Sequence, residues 1–142
     1  MSDGEPALPN LVRAATGEPV RHILDWFHLS MRVRPIEQVL LGLAGRHLPD
    51  PEPVQAAQTS IERIRHLLWH GRQEQADQEL VLLLGYGLEI AARNGELHQA
   101  SVNDLRRLCH ELRTYARNNS GAIVNYHRRY HDKRPVSTSR AE

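Results

Sequence analysis

The sequence has little cysteine, few aromatic residues and no long hydrophobic run. The single cysteine, Cys109, excludes an internal disulfide framework and a four-cysteine zinc site, and it fits a reducing compartment. No apolar stretch approaches the ~20 residues that span a bilayer, and the first residues are acidic and polar. We therefore expect a cytoplasmic protein without a secretory signal or a membrane partner.

Two common catalytic loops are also missing. The sequence contains no glycine-rich phosphate loop of the Walker type and no Gly-x-Ser-x-Gly nucleophile motif. Cys109 falls on the apolar face of a predicted helix, which favours a core residue over a nucleophile. Neither nucleotide hydrolysis of the Walker type nor nucleophilic catalysis is indicated.

The sequence is long enough for one domain, and its hydrophobic pattern is mostly that of α-helices. Its 142 residues are 40% hydrophobic and 25% charged, which is ordinary for a globular protein. Apolar residues at helical spacing predict helices over 27–43, 54–70, 73–94, 101–117 and 122–130, after a short helix near 8–15. Pro35 is expected to kink or divide the first long helix, and Ser101 to Asp104 resembles a capping box.

A single strand candidate, Val20 to Asp25, stands apart from these helices. A lone strand leaves its backbone hydrogen-bonding groups without partners. Either this segment is not a strand, or the chain belongs to a larger sheet.

The C-terminal third is basic. From Asn103 to Arg134 there are eight arginine and lysine residues and three acidic ones, although the whole chain has a net charge of only +1. Such a face could bind DNA phosphates, and the alternative is an ordinary solvated helix face. The candidate DNA-binding residues are Arg106, Arg113, Arg117 and Arg128.

Histidines and carboxylates supply the other candidates. His66 and His70 share a helix face, as do His127 and His131. The first pair is a candidate zinc site, although it lacks the Glu of His-Glu-x-x-His.

Carboxylates at strand ends can hold Mg²⁺. The candidate Mg²⁺ ligands are Asp3, Asp25 and Glu142. The simpler alternative is that Asp25 is a helix N-cap and that Asp3 and Glu142 lie in frayed termini.

Three blocks together resemble bacterial insertion-sequence transposases with an RNase H-like core, of the mutator-like group and closest to Kra-type elements. The first block is Ser2-Asp3-Gly4-Glu5-Pro6-Ala7-Leu8, and the second is Ile23-Leu24-Asp25-Trp26-Phe27-His28. The third runs from Asn125-Tyr126-His127-Arg128-Arg129-Tyr130 to Pro135-Val136-Ser137-Thr138-Ser139-Arg140-Ala141-Glu142. Asp-Gly and Pro-Val-Ser-Thr-Ser are weak motifs alone, and their order and spacing strengthen the match.

The resemblance implies a mainly α chain, with a stub of RNase H-like α/β core attached to an all-helical insertion. Residues 1–30 would be partial core, residues 31–134 the insertion, and residues 135–142 the return into the core. Asp3 and Glu142 would be the second and third catalytic acids and Mg²⁺ ligands, and Asp25 and His28 an active-site signature. DNA would be the substrate.

Two departures accompany the resemblance. The family's first catalytic Asp has no counterpart here, and its basic helix after the final Glu is missing. We therefore expect an internal fragment that is inactive alone, with itself or a full-length transposase as its candidate partner. The alternative from another class is a non-catalytic helical protein that binds DNA or a transposase.

Overall fold

The structure, a computed structural model, describes residues 26–134. Five α-helices follow one another: α1 (Trp26–Ala44), α2 (Glu52–Trp69), α3 (Gln73–Asn94), α4 (Gln99–Asn118) and α5 (Tyr126–His131). Short 3-10 turns, Glu96–His98 and Ser120–Ala122, precede α4 and α5. Residues 26–134 contain no β-strand, so the mainly α prediction is confirmed for this part.

The four long helices form a bundle around an aliphatic core. α1 and α3 each pack between α2 and α4, and the short connections make successive helices antiparallel. The helices contribute leucine, isoleucine, valine and alanine at helical spacing, as the sequence predicts. Fully buried examples from α1, α2, α3 and α4 are Leu40, Ile64, Leu83 and Leu112.

Two positions inside the helices differ from what their residues predict. Pro35 does not divide α1, which is a single helix with Val33 and Ile36 buried on either side of the proline. Gly87 lies inside α3, where a β-carbon would sit 3.4 Å from the Leu105 side chain on α4. Packing against the neighbouring helices thus outweighs the local helix-breaking tendency at both positions.

The predicted capping box is wrong. Helix α4 begins at Gln99, so Ser101 already lies inside it, and the Ser101 hydroxyl accepts a hydrogen bond from the Arg46 guanidinium at 2.9 Å. The 3-10 turn that begins at Glu96 starts the helical path earlier than the motif indicated.

One buried amide fixes the loop between α1 and α2. Asn94, 7% exposed at the end of α3, accepts a hydrogen bond from the Asp50 backbone N–H at 2.7 Å and donates to the Asp50 carbonyl at 3.0 Å. Asp50 also pairs with Arg93 at 3.0 Å, and the backbone N–H of Glu52 together with this guanidinium lowers the pKa of the Asp50 carboxyl. These contacts hold the loop on the end of the bundle.

Several sequence predictions lie outside the described residues. They are the helix near 8–15, the strand over 20–25, and the return segment 135–142. The predicted boundary between residues 30 and 31 falls inside α1. Among residues 26–134, no helix combines the length and hydropathy that a membrane span requires.

Candidate functional site at the junction of α2 and α5

The turn that joins α2 to α3 brings a distant segment against α2. Gly71 has a φ of +74°, a conformation that glycine adopts without strain. A β-carbon there would lie 2.9 Å from the backbone of Val124 and Asn125, the residues just before α5. Glycine is therefore required at this turn both for its conformation and for the close approach of the segment that leads into α5.

A cluster of aromatic rings fills the junction. Trp69, the last residue of α2, lies 5.0 Å from Trp26 at the start of α1, measured between ring centroids. Tyr126, fully buried at the start of α5, lies 5.2 Å from Trp26 and 6.1 Å from Trp69, and Tyr130 lies 6.1 Å from Trp69. Both tryptophans of the sequence are in this cluster.

Four imidazole rings continue the junction toward its surface. Consecutive ring centroids are 4.2 Å apart on α2, 4.6 Å apart from α2 to α5, and 4.6 Å apart on α5. The middle pair is stacked, with 27° between the ring planes. We call this set the histidine row; in spatial order its members are His66, His70, His127 and His131.

Hydrogen bonds define the protonation of the two central rings. The Trp69 indole N–H donates to Nδ1 of His127 at 3.4 Å, so this nitrogen carries no proton. Nδ1 of His70 lies 3.0 Å from the His66 carbonyl, which can only accept, so this nitrogen carries one. Desolvation and the neighbouring histidines lower the pKa of His127. The geometry thus favours a neutral His127.

Two ring nitrogens of the row are already engaged in contacts with neighbouring groups. Nδ1 of His127 accepts from the Trp69 indole, and Nδ1 of His70 lies 3.0 Å from the His66 carbonyl, so a metal ion at either nitrogen would displace that contact. Throughout the described part of the chain, no group of three or more histidine, cysteine, aspartate or glutamate side chains is arranged to hold a metal ion. What the row can do chemically is take up protons close to one another.

The acidic residues predicted as catalytic or metal-binding lie outside residues 26–134. Asp3, Asp25 and Glu142 are all in this group. His28, the remaining residue of the signature, is half-buried in the first turn of α1, with its ring 5.6 Å from that of Phe27. Three of the four residues that the resemblance assigns to the active site thus fall outside residues 26–134, and their assignment stays a prediction.

Two of the four candidate DNA-binding arginines converge on one carboxylate. Arg113 of α4 donates to both oxygens of Asp77 on α3, at 2.7 and 3.3 Å, and Arg117 lies 3.7 Å from Asp77. This hydrogen bond raises the pKa of Arg113. Arg106 and Arg128 are exposed and make no ion pair with any residue from 26 to 134. The carboxylate of Asp77 thus neutralises part of the positive charge of the predicted basic face.

Cys109 is fully buried, as predicted. Burial raises the pKa of its thiol to about 12, so the sulfur stays protonated at neutral pH. A thiolate nucleophile at this position is therefore not supported.

The sequence indicated both histidine pairs, but it did not indicate that the pair on α2 contacts the pair on α5. Its one available signal was their shared spacing of four residues, next to aromatic residues in both segments. Comparisons with known proteins add no further assignment: no family model matches the chain, and neither the curated proteins nor the solved structures give a match.

Proposed function

We propose that this chain is part of an insertion-sequence transposase with an RNase H-like core. In this proposal the helical bundle is the insertion between the second and third catalytic acids. Residues 1–25 and 135–142, which flank the bundle, carry most of the motifs on which the resemblance depends. The proposal also accounts for a helical bundle attached to one predicted strand.

The observation that carries the proposal is that the chain enters and leaves the bundle at one place. An insertion between neighbouring core elements needs its two ends close together. Trp69 contacts Trp26, the first residue of α1, at 5.0 Å and Tyr130, near the end of α5, at 6.1 Å. Because α5 has only six residues, a length of ~9 Å, the exit cannot lie far from the entry.

The proposed chemistry is phosphoryl transfer assisted by two metal ions. Asp3 and Glu142 are the proposed Mg²⁺ ligands, and DNA at the ends of the element is the proposed substrate. Two Mg²⁺ ions activate the attacking oxygen and stabilise the leaving one. The chain offers a match for two of the three acids, so we expect it to be inactive alone.

The first test is the DNA on both sides of the reading frame. We expect the upstream flank to encode a strand that ends in an aspartate. The downstream flank is expected to encode a basic helix directly after Glu142. Flanks that are unrelated to such elements, with a ribosome-binding site before Met1, would contradict the proposal and favour a self-standing binding protein.

The second test is Mg²⁺-dependent nicking of DNA. The chain as it stands should not cleave, whereas the protein extended by both flanks should. In the extended protein, Asp3→Ala and Glu142→Ala should lower the rate by about 10³-fold or more, since bound metal ions contribute several kcal/mol to such transition states. Asp104→Ala, an exposed carboxylate on α4, is the matched control and should keep the rate. Nicking by the unextended chain that Asp3→Ala abolishes would refute the expectation of inactivity.

A further inference from the structure

The histidine row lies at the contact through which α5 is held on the bundle. Helix α5 has six residues, too few to be stable by itself in water. It is attached through the buried Tyr126 ring, the stacked imidazoles of His70 and His127, and the hydrogen bond from Trp69. The position of α5 therefore depends on contacts that involve titratable rings.

Among residues 26–134, no acidic side chain forms an ion pair with a histidine of the row. The charged groups that act on His127 are His66 and His70 from α2 and His131 from its own helix. Helix α1 contributes the uncharged Trp26 ring to the junction, and residues 123–125 carry no charge. Near the row in the chain, the basic residues are Arg65, Arg72, Arg128, Arg129 and Lys133. The acidic ones are Glu62, which forms no ion pair with His66, and Asp132, which pairs with Arg134 at 3.8 Å.

Protonation acts against the junction in two ways. A proton on Nδ1 of His127 would face the Trp69 indole N–H, so the hydrogen bond between α2 and α5 would be lost. A second imidazolium in the row would then stand about 4–5 Å from the first, where like charges repel without a carboxylate between them.

We propose that the histidine row is a pH-sensitive clasp, which holds α5 against the carboxyl-terminal end of α2 while its imidazoles are neutral and releases α5 when they are protonated. The clasp acts on α5 and leaves the bundle folded, because the core of the bundle is aliphatic. It does not depend on the proposed transposase function.

The direction of the pH effect follows from the neutral state of the folded form. Because the pKa of His127 is lowered on folding, the unfolded or released chain binds more protons than the closed one. The closed state is therefore fully favoured above the ordinary histidine pKa of about 6.5 and is lost as the pH falls below it.

The test uses the full chain and its two tryptophans, both of which report on the junction. Tryptophan fluorescence and histidine proton NMR are recorded from about pH 8 to about pH 5, the range in which histidine titrates. We expect the tryptophan signal to change with a midpoint below about 6.5. The far-ultraviolet circular dichroism should change little over this range, because α1 to α4 remain folded.

Variants separate the row from other histidines. In His127→Asn, the amide oxygen can still accept from Trp69 but does not titrate, so most of the fluorescence change should disappear. His110→Asn, on the exposed face of α4, is the matched control and should titrate like the original chain. A constant tryptophan signal, an unchanged midpoint in His127→Asn, or simultaneous loss of the helical signal would each overturn the proposal.

His131→Asn provides a second test if His127→Asn fails to fold. It keeps the Trp69 hydrogen bond and removes one neighbour that repels the His127 imidazolium. The NMR midpoint of His127 should therefore rise toward the ordinary histidine value. A midpoint that does not move would show that the rings titrate independently and would refute the clasp.

Discussion

The four-helix bundle and the junction of α2 and α5 are stabilised by different kinds of contact. The bundle buries mostly aliphatic side chains at helical spacing, together with one carboxylate, Glu79 of α3, which accepts a hydrogen bond from Ser60 of α2 at 2.9 Å. The junction instead combines one buried tyrosine, two tryptophans and a row of exposed or half-buried imidazoles. The comparison sets a largely aliphatic bundle, which stabilises the fold, against a junction in which aromatic and imidazole rings hold α5.

The same comparison bears on the proposed function. An insertion needs a body that folds firmly and two ends that stay together. The aliphatic bundle meets the first need, and the aromatic cluster, in which Trp69 contacts both Trp26 and Tyr130, meets the second. A change in the bundle should therefore reduce global stability, whereas a change at the junction should act first on α5.

The largest effect is expected from a cavity in the bundle. Ile64→Ala removes a fully buried side chain from α2 and should lower the free energy of unfolding by about 2–5 kcal/mol. Leu97→Ala, at a side chain that is 91% exposed, is the control and should stay within about 0.5 kcal/mol. Urea unfolding followed by circular dichroism measures both variants. A loss for Ile64→Ala that differed strongly between neutral and mildly acidic solution would break the distinction between bundle and junction.

The turn at Gly71 is expected to give the next largest effect. Gly71→Ala places a β-carbon 2.9 Å from the backbone before α5, at a φ of +74°, and should cost about 1–3 kcal/mol. The segment with α5 should shift away, so tryptophan fluorescence should change more than the helical signal does. Gly85→Ala is the matched control: no atom outside the local helix lies within 4 Å of its β-carbon, and alanine should stabilise α3 by up to about 1 kcal/mol. Equal fluorescence in both variants would contradict this account of the turn.

Much of the bundle could be predicted from the sequence because its signals are local. The helical spacing of Ile61, Ile64 and Leu68 predicted the buried face of α2, and all three are buried. The start of α4 was predicted wrongly because capping motifs describe only neighbouring residues. Ser101 instead binds Arg46, which is 55 positions away in the chain.

The junction could not be predicted because it depends on contacts between distant segments. The spacing of His66 and His70 placed them on one face of α2, but the distance of 4.6 Å from His70 to His127 follows from how the turn at Gly71 receives residues 124 and 125. The ion pairs of the basic face could not be predicted for the same reason. Arg113 was predicted to bind DNA from its place in a basic run, and nothing local indicated that Asp77 on α3 would pair with it.

The smallest effect on stability is expected from Asp77→Asn, which nevertheless tests the DNA-binding prediction most directly. The ion pair with Arg113 has side chains that are 25% and 27% exposed, so its loss should cost at most about 1 kcal/mol. The substitution frees Arg113 and Arg117 from a carboxylate on the neighbouring helix. If this face contacts phosphates, affinity for double-stranded DNA should rise, and it should fall more steeply with salt than in the original chain.

Fluorescence anisotropy over a range of salt concentrations measures this change. Arg113→Gln is the opposite variant, since it removes the guanidinium and keeps the carboxylate, and it should weaken binding. Asp104→Asn provides a control for the change in net charge, because Asp104 contacts Arg107 at 3.5 Å and neither Arg113 nor Arg117. An equal gain in affinity for Asp77→Asn and Asp104→Asn would show that net charge alone sets the binding. A gain confined to Asp77→Asn would place the phosphate contact on the face of α4 that carries Arg113 and Arg117, because that is where the carboxylate was removed.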